Sequence, residues 1–236
     1  MTSLRHAFAL AGLLLCAWTG CAHAAGSSDG AIGQGTTPLA LRFQHANANA
    51  RLERDRTRLT TTGPDVVASA FVPTPIAGRA YIEAEIFHGG RHAAGVSLWG
   101  ESPERLRDDA HPGRSYGAAG ASAQVVSAWA MVAYANYGLP GDTKLEIAAL
   151  SGAPGQRVVV QVAVDAGARA VWMRLAGTRG WAGGGDPATG ARPTLVLDGD
   201  GPILVGGNVS DPASHLELLA PSRHWGAAPA GFMPFG

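Results

Sequence analysis

Short apolar runs, each closed by turn residues, are the feature that most limits how this chain can fold. Most runs are five to nine residues long, and glycine, proline, asparagine or aspartate separates them. Runs of this length with these breaks are typical of strands, whereas a helix needs longer stretches with an apolar residue every three or four positions. The predicted strands cover 80–87, 93–99, 127–135, 144–150, 157–165, 170–177, 194–207, which contains its own turn, and 215–219.

The run 157–165 indicates how the strands are layered. Its two alternating faces carry Val158, Val160, Val162 and Val164 on one side and Val159, Gln161, Ala163 and Asp165 on the other. Because both faces are largely apolar, we expect a central strand with neighbours on both sides. Helical periodicity is confined to one or two turns at 102–109. The pattern predicts an all-β fold, a two-sheet antiparallel β-sandwich of roughly 10–14 strands.

Residues 1–24 have the pattern of a secretory signal. A basic start precedes the apolar stretch 7–18, and a small-x-small cleavage site ends at Ala24. The apolar stretch is shorter than the roughly 20 residues of a membrane span. A second interpretation stays open, in which Cys21 carries a lipid and this lipid is the only contact with a membrane. Both interpretations predict export to the periplasm, the outer envelope or the extracellular space.

The rest of the chain divides into a Gly/Ser-rich tether over 25–38 and one domain over 39–236. The two cysteines, Cys16 and Cys21, lie in or beside the signal, so we expect no disulfide in the domain. Its length is sufficient for a large hydrophobic core. The 18 basic and 18 acidic residues balance, which excludes the basic excess that nucleic-acid binding needs.

Five stretches resemble, in order, the motifs of SPRY domains. Residues 48–63 resemble the opening hairpin, 78–99 the first core hairpin, and 115–120 a Tyr-Gly motif. Residues 158–177 resemble the strand–turn–strand pair that ends at a glycine, and 229–236 the Pro-x-Gly-Phe tail of bacterial and phage members. The resemblance implies a concanavalin-like jelly-roll sandwich that has no catalytic activity and binds protein segments through loops at one edge.

Two carboxylates, Glu83 and Glu85, keep an enzymatic alternative open. Residues two apart on a strand point to the same face and are separated by about 6.6–6.8 Å. This spacing is compatible with the acid and nucleophile of a glycoside hydrolase. The segment resembles the Glu-x-Asp-x-x-Glu strand of laminarinase-like enzymes, but His88 stands where the third carboxylate is needed. We therefore favour a binding module over an enzyme.

Two further patterns are interpreted as turns rather than metal sites. His88 and His92 flank two glycines and an arginine, which predicts a hairpin turn and not a helical ligand pair. The Asp-Gly-Asp-Gly stretch 198–201 resembles a calcium loop, but Val209 occupies the twelfth position, where such a loop needs glutamate. We expect a tight turn between two strands there, and neither a metal nor a cofactor.

The glycine-rich stretch 179–193 is the candidate binding loop. Trp181 is followed by three glycines, so it either packs back on the sandwich or faces solvent as a platform for a ligand. Arg179, Asp186 and Arg192 lie close in sequence and can orient a polar group. Trp181, Asp186, Arg179 and Arg192 are the predicted contacts for a protein or carbohydrate ligand.

Overall fold

The computed structural model describes residues 41–64, 66–90, 94–100, 120–126, 130–135, 143–150 and 155–236. The signal, the tether, the segment 102–109 and nearly all of the motif at 115–120 lie outside these residues. The described strands are β1 (His45–Ala46), β2 (Ala50–Glu53), β3 (Arg58–Thr61), β4 (Ala68–Phe71), β5 (Arg79–His88), β6 (Ala94–Trp99), β7 (Gly120–Val126), β8 (Ala130–Ala135), β9 (Thr143–Ala149), β10 (Gln156–Asp165), β11 (Ala170–Leu175), β12 (Leu195–Val196), β13 (Leu204–Val209), β14 (His215–Leu218) and β15 (Met233–Pro234).

The strands form two sheets of an antiparallel sandwich, which confirms the predicted fold class. Sheet A has the order β1-β4-β13-β6-β7-β8-β9, and sheet B the order β12-β11-β10-β5-β14-β3-β2. β15 joins sheet B as a parallel partner of β5. The fifteen described strands exceed the predicted number because three of them have only two residues. In the described part of the chain, no helix is long and apolar enough to cross a membrane.

The main core lies between the two sheets, and the predicted alternation of β10 is confirmed. Val160, Val162 and Val164 are fully buried in this core. β10 pairs with β11 on one side and with β5 on the other, as a central strand should. Gly207 of sheet A lets the sheets approach closely, because an added Cβ would lie 1.9 Å from Cδ2 of Leu216 in sheet B.

Two predicted hairpins are confirmed and one is wrong. β2 pairs with β3, and β10 pairs with β11. In the segment 78–99, however, β5 lies in sheet B and β6 in sheet A, so the connection is a corner between sheets. The glycines of this corner fit closely against another loop, since a Cβ on Gly90 would lie 1.6 Å from Oδ2 of Asp211. A glycine-rich break between two amphipathic strands does not indicate by itself whether the chain stays in one sheet.

The turn at 198–201 also changes sheets, since it leads from β12 in sheet B to β13 in sheet A. The Arg169 guanidinium donates hydrogen bonds to the carbonyl oxygens of Asp198 and Gly201, both at 2.8 Å. Two carbonyl oxygens of the stretch that resembles a calcium loop therefore already accept hydrogen bonds from an arginine side chain. The stretch connects two strands, as predicted, but it is not a tight turn of a hairpin, because the two strands lie in different sheets and do not pair with each other.

The turn of the first hairpin has an unusual backbone. Arg54, Asp55 and Arg56 all have positive φ, at 47°, 60° and 67°. This left-handed conformation costs about 1–2 kcal/mol for each non-glycine residue. The cost is offset in part by the Arg56 side chain, which donates to the carbonyl oxygens of Phe43 and Gln44. The turn also directs Arg54 towards β14.

Candidate functional site

The outer face of sheet B is partly covered by the C-terminal strap, defined as residues 220–236. Phe232 of the strap is buried and meets the Trp172 ring edge-to-face at 6.2 Å. Together with Tyr81, Ala163 and Ala170 these rings form a second apolar cluster on the side of the sheet away from the main core. Sheet B is therefore packed on both faces over part of its surface.

A buried carboxylate holds the strap to the sheet. Glu83 has no exposed surface. Its Oε1 accepts hydrogen bonds from the Tyr81 hydroxyl (2.6 Å), the Gln161 amide (2.9 Å) and the Gly226 N–H (3.0 Å), and its Oε2 accepts one from the Trp225 N–H (2.6 Å). Burial, together with the bond to Glu83, raises the pKa of Tyr81. The carboxylate thus fixes two consecutive backbone amides of the strap.

Trp225 combines a fixed backbone with a free ring. The residue is 71 % exposed, although its N–H is bound by the buried Glu83. A Cβ on Gly226 would lie 2.7 Å from Nε2 of Gln161, so a larger residue there would displace the amide that binds Glu83. Tryptophan is enriched among the side chains that contribute most to binding energy at interfaces. Sequence reasoning missed Trp225, although it shares with Trp181 the signal of a tryptophan beside glycine in a turn-rich segment.

Trp181, the predicted platform, is half-buried and connects to the same network. The Arg174 guanidinium lies over its ring, 4.5 Å from the centroid. Arg174 Nε also donates to the side-chain carbonyl of Gln161, whose amide binds Glu83. Trp181 therefore packs back on the sandwich through one face and keeps part of its surface open. A continuous chain of polar contacts runs from Trp181 to the strap.

The loop around Trp181 also covers part of sheet B. Trp172 Nε1 donates to the Ala191 carbonyl at 2.9 Å, and Gly185 lies so close that an added Cβ would be 2.8 Å from the Trp172 ring. These contacts require a glycine-rich backbone, which gives a structural reason for the sequence of the loop. The loop is folded on the sandwich and not an extended linker.

The other three predicted contact residues have different roles in this loop. The Asp186 carboxylate accepts hydrogen bonds from the Ala188 N–H and the Thr189 hydroxyl, so it shapes its own turn. Arg179 and Arg192 are exposed, and neither guanidinium forms a hydrogen bond or ion pair with another described residue. The structure joins Trp181 to the network around Glu83 but does not join these three side chains to it.

Glu83 and Glu85 lie on the same outer face, as expected, but their surroundings argue against hydrolysis. Glu83 is buried beneath the strap and has internal donors on both oxygens. Glu85 forms an ion pair with Arg157 at 2.8 Å. An acid and a nucleophile both need access to a substrate, and Glu83 has none. In the described residues, no group of three or more histidine, cysteine, aspartate or glutamate side chains is placed to hold a metal ion.

Next to the strap, the outer face of sheet B carries three arginines that form a cluster with Arg223 of the strap; the arginine cluster is defined as Arg54, Arg58, Arg157 and Arg223. Three of its members bind the buried Glu217, Arg58 at 2.7 Å, Arg54 at 3.1 Å and Arg223 through its Nη1. Burial alone would raise the pKa of Glu217, but hydrogen bonds from Arg223 and Arg58 outweigh it and lower that pKa. This carboxylate is therefore held in its charged form.

The chain matches no protein-family model, and no curated protein matches it. Its solved structural neighbours include SPRY and NHR domains. The SPRY domain of human HERC1 is 13% identical, with 77% of this chain and 99% of that chain covered and a TM-score of 0.48. The PSpry domain of TRIM65 is 16% identical, with 76% and 90% covered and a TM-score of 0.48. The NEUZ (NHR) domain in Neuralized from Drosophila melanogaster is 12% identical, with 80% and 97% covered and a TM-score of 0.46.

Proposed function

We propose that this protein is a non-enzymatic binding module, similar to the SPRY-like domains of bacteria and phage, that recognises a protein segment. The observation that carries the proposal is Trp225, which is 71 % exposed while Glu83 fixes its backbone. Because the backbone of Trp225 is already fixed in the free protein, less conformational entropy is lost when a partner covers its ring. Tryptophan is also among the side chains that contribute most to binding energy at interfaces.

The proposed binding surface extends from Trp225 to the loop 179–193. Trp181 belongs to it through the contact chain of Arg174 and Gln161. Arg179, Asp186 and Arg192 remain predicted polar contacts at its margin. A carbohydrate is the other class of ligand that an exposed tryptophan can bind, and the experiment below distinguishes it.

The test screens the purified domain against a displayed random peptide library and against a glycan array. The affinity of the best ligand is then measured for the wild type and for Trp225 variants. Trp225→Ala should weaken binding of a selected peptide by about 2 kcal/mol or more. Because the ring is exposed, its removal should change the free energy of unfolding by less than about 0.5 kcal/mol. Trp225→Phe, the matched control, should retain most of the affinity.

Three results would contradict parts of this proposal. Selection of glycans but no peptides would reassign the ligand class. Turnover of β-glucans that is abolished by Glu85→Gln would replace the binding module with a hydrolase. Peptide binding that is unaffected by Trp225→Ala would leave the proposed surface without support.

We also propose that the protein is exported, on the basis of the signal pattern in residues 1–24. The product should begin at Ala25, or carry a lipid on Cys21. Intact mass of the protein recovered from the cell envelope distinguishes the two forms. A cytoplasmic product that retains Met1 would exclude export.

A further inference from the structure

The outer face of sheet B has an excess of positive charge next to Trp225. Six arginines and four glutamates lie on this face around Trp225, which leaves two formal positive charges unbalanced: Arg51, Arg54, Arg58, Arg157, Arg174 and Arg223 against Glu53, Glu83, Glu85 and Glu217. The excess is local, since the complete chain has equal numbers of basic and acidic residues. Arg223 is only two residues from Trp225 in the strap.

The positive charges lie further out than most of the negative ones. The side chains of Arg54, Arg157 and Arg223 are 56 %, 59 % and 49 % exposed, whereas those of Glu217 and Glu85 are 0 % and 12 % exposed. The guanidinium groups therefore meet an approaching partner first. The ion pairs beneath them restrain the arginines, so a second carboxylate can bind groups that are already oriented.

The lowered pKa of a neighbouring histidine is consistent with a positive electrostatic potential at this face. His215 stacks on Phe87, with ring centroids 5.1 Å apart. Burial, and after it the charges of Arg58 and Arg157, lower the pKa of His215. Glu85 and Glu217 raise the pKa of His215, but by less than burial and the two arginines lower it.

We infer that Trp225 and the arginine cluster together form a docking surface for an acidic, partly apolar segment of a partner protein. This inference rests on the proposed function and specifies the chemistry of the ligand. The indole supplies the apolar anchor, and the exposed guanidinium groups supply charge complementarity. An excess of only two charges, with carboxylates directly below, is too small for a polyanion such as nucleic acid, whose binding needs many phosphate contacts.

The experiment starts from the displayed random peptide library, selected on the complete protein at low salt. Enriched peptides should have a net negative charge and at least one large apolar residue. A synthetic copy of the best peptide should lose affinity when its acidic residues are changed to amides. Its affinity should also fall as salt rises, because exposed charges are screened beyond about 10 Å at 0.1 M ionic strength.

The variants test the arginines individually. Arg54→Gln and Arg157→Gln should each weaken binding of the selected peptide by about two- to fivefold, which is the range expected for exposed charge pairs. Arg157→Lys should retain most of the affinity. Arg79→Gln is the control outside the arginine cluster, since Arg79 also forms an ion pair on β5 but lies on the other side of Glu83 from Phe87, the register partner of Arg157. It should leave binding unchanged.

The outcomes separate this inference from the function on which it rests. Loss of binding in Trp225→Ala with no effect of Arg54→Gln or Arg157→Gln would overturn the acidic partner and leave the binding module in place. No effect of any of these variants would overturn the acidic partner and the surface around Trp225, and failure to select any peptide would overturn the binding module as well. Tighter binding of heparin, single-stranded DNA or phosphatidylserine vesicles than of the selected peptide would also overturn the inference.

Discussion

At the scale of single residues, Glu83 is a position where one substitution should have a large effect on stability. Glu83→Ala removes the common acceptor of four donors and leaves them without their buried partner. We expect the free energy of unfolding to fall by about 3–5 kcal/mol, the cost of removing one partner from a buried charged network. Urea denaturation followed by circular dichroism measures this change.

Glu85→Gln is the matched control for Glu83→Ala, two positions along the same strand. The Glu85 carboxylate pairs with Arg157, whose side chain is 59 % exposed. The substitution should therefore lower the free energy of unfolding by less than about 1 kcal/mol. Equal losses at the two positions would show that Glu83 does not hold the strap.

The same residues show how far sequence reasoning extends. Alternation along a strand placed Glu83 and Glu85 on one face, and this was correct. It could not show that the strap would bury one of them, because that contact joins residues more than 140 positions apart in the chain. Trp225 was missed for the same reason, since its exposure depends on where its backbone is bound.

At the scale of elements, the strap is expected to be part of the fold and not a loose tail. Phe232 and Met233 are adjacent but have opposite environments, since Phe232 is 5 % exposed and Met233 is 72 % exposed. Phe232→Ala should lower the free energy of unfolding by about 3 kcal/mol because it opens a cavity beside Trp172. Met233→Ala should change it by less than about 0.5 kcal/mol.

Urea denaturation of the two variants measures the difference, with near-ultraviolet circular dichroism as a check on the packing of Trp172. Similar losses for both would mean that the strap contributes to stability through its backbone pairing with β5 alone. A loss in neither would mean that the strap is not bound to the sheet in solution.

Strand positions could be predicted well, but strand partners could not. The runs that end at Asp165 and begin at Ala170 form a hairpin, because only four residues separate them and they pair directly. The runs around Gly89 and Gly90 have a similar break, yet they belong to different sheets. The difference comes from the loop around Asp211, which packs on those glycines, and such long-range packing leaves no local pattern.

At the scale of the whole molecule, the ion pairs of Glu217 make global stability depend on pH. The Arg223 and Arg58 hydrogen bonds lower its pKa in the folded state, although burial opposes them. A carboxyl group whose folded pKa lies below its unfolded pKa stabilises the fold above the unfolded value, which is about 4.3 for glutamate. That contribution is lost as the pH falls through the folded pKa.

Glu217→Gln removes this dependence because the amide does not titrate. At pH 7 the variant should be less stable than the wild type by about 3–5 kcal/mol, since it leaves Arg58 and its neighbours without their buried partner. The gap should narrow below about pH 4, where the wild-type carboxylate is also neutralised. The pKa of Asp165 is also lowered, first by the Ala168 N–H and then by Arg79. The wild type and the variant should therefore both keep a weaker loss of stability in acid that comes from Asp165. Urea titrations across this pH range measure the gap, and two parallel stability curves would mean that Glu217 contributes nothing to the acid sensitivity of the fold.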